Sequence, residues 1–117
     1  MSKRIFTLKE SLEILPRVQA LTGTAVEKAE VLVRQIEALP AGSERRALEE
    51  RYDQILRAWA AAVMELGAEV KGMWLVDFDS GDGIYYCWQH PEATIEFFHD
   101  YGAGFTGRRP LGKLGVL

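Results

Sequence analysis

The chain has 117 residues, 48% of them hydrophobic and 26% charged, with 14 basic against 17 acidic side chains. That length supports one small globular domain with its own core, and the net charge of −3 offers no cationic surface for nucleic acid. A single cysteine excludes an internal disulfide and a cysteine-rich zinc site, and the lack of an apolar run of about 18 residues or an apolar N-terminal core speaks against a membrane span and a signal peptide, so the expected location is cytoplasmic.

Charge divides the chain into three parts. Residues 1–71 carry 11 basic and 11 acidic groups and read as a helical scaffold. Residues 72–100 carry six acids and no Lys or Arg, and read as a sheet. Residues 101–117 carry Arg108, Arg109 and Lys113 with no acid, and read as a glycine-rich tail. Both histidines and Cys87 lie beyond residue 71, where any chemistry is expected.

Thr7-Leu8-Lys9-Glu10 has the form of a capping box. It should start a short helix that buries Leu8, Leu12 and Leu15 and ends or kinks at Pro16. From Val18 the apolar positions Leu21, Ala25, Ala29, Leu32, Ile36 and Leu39 follow at helical spacing. Pro40-Ala41-Gly42 stops that helix, and Ser43 is positioned to cap the next. Its stripe is Leu48, Tyr52, Ile55, Trp59, Ala62 and Leu66, and Gly67 ends it. So short a loop implies an antiparallel hairpin. Val31, Val33, Ala58 and Val63 lie off the stripes; they suit either a partner helix or the packing of a sheet.

Three strands are expected: Met73–Phe78, Ile84–Gln89 and Thr94–Asp100, rich in aromatic and branched residues and joined by turns at Asp79–Gly83 and His90–Ala93. The simplest register sets Phe78 opposite Ile84 and Gln89 opposite Thr94. Alternation then places Trp74, Val76, Phe78, Ile84, Tyr86, Trp88, Ile95, Phe97 and His99 toward the helices. Met73, Leu75, Asp77, Tyr85, Cys87, Gln89, Glu96, Phe98 and Asp100 form a mixed outer face. The tail or a second copy of the chain should cover it, which makes Leu75, Tyr85 and Phe98 the candidate interface. A one-residue slip in any strand would move its side chains to the other face.

Motifs for known chemistries fail on spacing. Asp77–Gly83 lacks the third and twelfth ligands of a calcium loop, since Gly81 and Trp88 stand there. Gly102-Ala103-Gly104-Phe105-Thr106-Gly107 matches a dinucleotide fingerprint by letter, but Arg108-Arg109-Pro110 cannot open the helix it needs. A glycine-rich turn beside Arg108 could still offer amides to an anion. In the assumed register Cys87 and His99 occupy opposite faces, and His90 and His99 lie roughly 20 Å apart. No metal site and no cofactor is therefore expected, and no serine or cysteine has the surroundings of a nucleophile.

Phe6-Thr7-Leu8, Leu15-Pro16, Leu75-Val76-Asp77-Phe78, Cys87-Trp88, His99, and Gly104-Phe105 with Gly107-Arg108 and Pro110-Leu111 together resemble a bacterial domain-of-unknown-function family, number 2203. The resemblance covers nearly the whole chain in the same order. It implies a small stand-alone bacterial protein and no particular activity. Outside the helices it rests on Asp77, Cys87, Trp88, His99, Gly104, Phe105, Gly107, Arg108 and Pro110.

The expected fold is α+β: a long antiparallel helical hairpin, with a short N-terminal helix, packed on a three-stranded antiparallel meander. One expected function is a non-enzymatic, self-associating interaction module. The other is a small-anion or polar-ligand domain built on Asp77, His99 and Arg108 with Gly104 and Gly107, in which Arg108 would pair with Asp77 and lock the tail over the mixed face.

Overall fold

The computed structural model describes residues 4–114, apart from the side chain of Lys113. Expectations placed on residues 1–3 and 115–117 lie outside them. Helix α1 spans Leu8–Glu37 and helix α2 Ser43–Glu65. Five strands follow: β1 Glu69–Gly72, β2 Leu75–Asp79, β3 Ile84–Gln89, β4 Phe97–Asp100 and β5 Arg109–Pro110. They form one antiparallel sheet in the order β1-β2-β3-β4-β5.

The capping box forms as expected. The Thr7 hydroxyl accepts from the Glu10 amide at 3.0 Å, and the Thr7 amide donates to Glu10 Oε1 at 2.8 Å. The break at Pro16 does not form: α1 runs through it as one helix of 30 residues. Pro16 and Leu12 both face solvent, so the carbonyl left without a partner by the missing N–H can be hydrated. Buried Ser11, Leu15 and Val18 hold the turns on either side. Helix α2 begins from Gly42 with no side-chain cap, and Ser43 is already helical. The two helices are tied by Trp59, whose indole Nε1 donates to Thr22 Oγ1 at 2.8 Å while that hydroxyl donates to the Val18 carbonyl.

The sheet is wider than the expected three strands. Strand β1 begins in the part assigned to the scaffold, and β5 lies in the part assigned to the tail. The tail is therefore structured, with 3-10 turns at Phe105–Gly107 and Leu111–Leu114 flanking β5.

Register decides which side chains meet. Between β2 and β3 the pairs are Phe78 with Tyr86 and Asp77 with Cys87, shifted by two residues from the expectation, so each face keeps its residues. Between β3 and β4 the shift is one. Tyr85 pairs with His99 and Cys87 with Phe97, which exchanges the faces of β4. The cause is the connection before it. Trp88 Nε1 donates to the Glu92 carbonyl, the Gln89 amide to Glu92 Oε1, and the Glu92 amide to the Gln89 carbonyl. These bonds close a compact turn, and β4 starts only at Phe97. Phe98 thus joins Val76, Phe78 and Trp88 in the core with Leu15, Val18, Trp59 and Val63, while Phe97 and His99 turn outward.

The sheet packs against only the proximal part of the hairpin. Hairpin residues of the common core lie within Leu8–Ala25 and Ile55–Leu66. Ala29 and Leu32 are buried further out, beyond that cluster. The molecule is accordingly long, 53 × 27 × 24 Å.

Candidate functional site

The outer face of the sheet carries the polar chemistry. One cross-strand row runs Glu69, Asp77, Cys87, Phe97 and a second runs Asp79, Tyr85, His99. Asp77 and Cys87 are 0% exposed and His99 is 3% exposed, although the α1–α2 hairpin packs on the opposite face. Their nearest donor atoms all lie within 4.8 Å of one another. The β4 slip brings this about, and it removes the ground on which a metal cluster of Cys87 and His99 was excluded. His90, the other histidine, is not part of the group.

His99 Nδ1 lies 2.9 Å from the Asp100 carbonyl and Nε2 lies 2.8 Å from Asp77 Oδ2. A carbonyl only accepts, so Nδ1 carries a proton and donates it. Nε2 and Asp77 then share one further proton, and Nε2 is the ring nitrogen aimed into the cluster. Asp77 Oδ1 is buried with no hydrogen-bond partner among the described residues, and the Cys87 thiol stands beside the carboxylate. Burial holds the Asp77 carboxyl above its ordinary range, against the lowering effects of Cys87 and His99. Burial likewise pushes the Cys87 thiol up to about 12, and the neighbouring Asp77 charge adds to the shift. A thiol in that state is a poor nucleophile.

Around the cluster lie groups that keep water out. Tyr85 packs its ring 5.5 Å from that of His99 and is capped by Lys71, whose ammonium sits 4.4 Å above the Tyr85 ring and 3.1 Å from Glu69 Oε1. On the other side Arg108 donates to Glu92 Oε1 at 2.6 Å. Its guanidinium stacks on Phe97 at 4.2 Å and on Phe105 at 4.7 Å. Burial opposes the Arg108 charge, but the bond to Glu92 and the neighbouring Cys87 outweigh it and the pKa is raised.

Arg108 therefore pairs with Glu92 and not with Asp77. The carboxylate that answers it was unassigned in the sequence, where Glu92 is one of six acids between residues 72 and 100. Gly104 and Gly107 shape the turn that presents Arg108. Gly104 has φ +69°, and a Cβ on Gly107 would lie 2.6 Å from that of Ala103. The amides of Gly107 and Arg108 donate to the carbonyls of Gly104 and Phe105, which leaves neither for an anion. Of the three candidate interface residues, Leu75 is half-buried, while Tyr85 and Phe98 are 8% and 2% exposed within the chain itself. Those two have little surface left for a second copy.

Glu69 and Lys71 have no role in the sequence reading, because β1 is too short to show alternation, and Tyr85, expected at an interface, instead packs on His99. No described helix is long and apolar enough to cross a membrane. A family model described as an uncharacterized conserved protein, DUF2203, matches residues 4–111. No curated protein and no solved structure matches the chain.

Proposed function

Because the chain belongs to the uncharacterised conserved family DUF2203, whose description names no activity, we propose its function from the site alone: the outer sheet face binds a divalent cation of the zinc class through Asp77, Cys87 and His99. The observation that carries this reading is the convergence of three different donors within 4.8 Å in a buried patch. Donors on a tetrahedral zinc ion stand about 3.5 Å apart, so small side-chain movements suffice. A set of thiol, imidazole and carboxylate suits borderline-soft ions, whereas magnesium and calcium take oxygen donors.

Two details support it. The Asp100 carbonyl orients the His99 ring in the way a second hydrogen bond orients a ligating imidazole. Asp77 Oδ1 is a buried acceptor with no hydrogen-bond donor among the described residues. Charge also balances. Binding releases the Cys87 thiol proton and the single proton shared by Asp77 and His99, two positive charges for the two that arrive. Three protein donors leave a tetrahedral ion one position for water or a small anion. The polar-ligand reading then survives with the metal, in place of Arg108, as its cation.

The test is titration of chelator-treated protein with Co²⁺, followed by competition with Zn²⁺. A thiolate-to-cobalt absorption band is expected at one ion per chain. It should vanish in Cys87→Ala, and His99→Ala and Asp77→Asn should weaken binding about tenfold or more. Absence of the band in a folded protein, or equal binding by Cys87→Ala, would overturn the proposal.

A further inference from the structure

On the side of the hairpin away from the sheet, α1 and α2 enclose a groove. Gln19 marks the sheet side, since its Nε2 donates to the Ala93 carbonyl. At 100° per residue, Arg17, Leu21, Thr24 and Lys28 fall about half a turn from Gln19. Two adjoining hollows, of about 530 and 590 Å³, share Lys28, Ile55 and Ala58 and form one trough between the helices. From Arg17 to Gln35 it runs roughly 27 Å, five helical turns.

The trough has an apolar floor and a rim of one sign. Leu21 on α1 and Ile55 and Ala58 on α2 line it, with the alanines low enough for a third backbone to approach. Val31 and Ala58, which the sequence left free for a partner, both lie in it, whereas Val63 is buried in the core. Arg17, Lys28 and Arg51 are its charged lining residues, and among the described residues no carboxylate lines it, in a chain of net charge −3. Among the described residues none of these three cations takes part in an ion pair or hydrogen bond.

We infer that this trough docks an amphipathic helix of another protein, about five turns long, whose apolar stripe is flanked by acidic side chains. A helix laid between two antiparallel helices completes a three-helix layer and covers the exposed Leu21 and Val31. Charge selects the partner's flanks, because three unanswered cations favour carboxylates. A second copy of this chain fits poorly, since a two-fold interface on this face would set the same cations against one another.

The test uses two synthetic 18-residue peptides with the same leucine stripe, one flanked by glutamates and one by lysines. Calorimetry on the full-length protein should show binding of the glutamate peptide alone, weakening as salt is raised. The double variant Arg17→Glu/Lys28→Glu, at two exposed positions that should leave the fold intact, should bind it about tenfold more weakly and gain the lysine peptide. Equal binding of both peptides, binding of neither, or an unchanged affinity in the double variant would overturn the inference. So would a dimer that Leu21→Glu dissolves, or binding of anionic lipid vesicles in place of the peptide.

Discussion

His99 Nε2 lies 2.8 Å from Asp77 Oδ2, although the strands that carry the two residues do not touch. Strand β3 runs between them, and the pair reaches across it beside Cys87 and Tyr85. The contact closes a link over a neighbour, which backbone hydrogen bonds cannot do. Both groups are buried, so Nε2 of His99 and Oδ2 of Asp77 depend on each other, while Nδ1 keeps its own bond to the Asp100 carbonyl.

Removing one side should therefore cost more than removing both. Asp77→Ala in chelated protein is expected to lose about 3–5 kcal/mol, the range for an orphaned buried partner. The double variant Asp77→Ala/His99→Leu should recover part of that. Urea unfolding measures both, and a loss below about 1 kcal/mol for Asp77→Ala would show that the pair does not behave as a buried one.

Cys87 should resist alkylation in the native, metal-free protein at neutral pH and react at once on unfolding, because its thiol is held near 12. The same shift has a consequence for stability. The folded value lies above the ordinary 9.0, so the stabilisation is complete below pH 9 and is lost as pH rises toward 12, where the unfolded thiol ionises first. The difference in urea midpoint between the native sequence and Cys87→Ala should shift in favour of the variant above pH 9. A difference independent of pH would contradict the shift.

Arg108→Ala should destabilise by about 2–4 kcal/mol, because it leaves the largely buried Glu92 without its cation and removes the guanidinium stacked on Phe97 and Phe105. Arg108→Lys should restore little, since an ammonium cannot stack between two rings while holding the carboxylate. Thermal unfolding of the two variants decides the matter; full rescue by lysine would reduce the role of Arg108 to its charge.

Pro16→Ala should stabilise α1 by about 1–3 kcal/mol, by returning an N–H to the Leu12 carbonyl at an exposed position. A fall in melting temperature would mean that the proline serves the docking of the first two turns on the sheet.

The helices were legible in the sequence because their period repeats many times. Thr7 and Glu10 marked the start of α1, and the stripes from Val18 and from Leu48 marked the hairpin. Pro16 misled because propensity describes an isolated helix, while Leu15 and Val18 are pinned in a core. The site was illegible for one local reason. Whether His99 faces the helices or Cys87 depends on one residue of slack between Gln89 and Phe97, and that slack is set by the bonds of Glu92 to Trp88 and Gln89. Hydrophobic alternation gave no warning, because Phe97 and Phe98 are equally apolar. Strands of four and two residues at the sheet edges were too short to show a period at all.

The distal half of the hairpin stands beyond the sheet, with Ala29 and Leu32 buried there but outside the common core. Its amides should exchange with solvent through small local openings, while those of β2 and β3 wait for global unfolding. The molecule then has a slow end, which holds Asp77, Cys87 and His99 in fixed geometry, and a fast end that breathes. A helix laid along the trough would span both. It would slow exchange most at Val31 and Leu32, so the footprint of a partner would be read as lost motion far from the sheet.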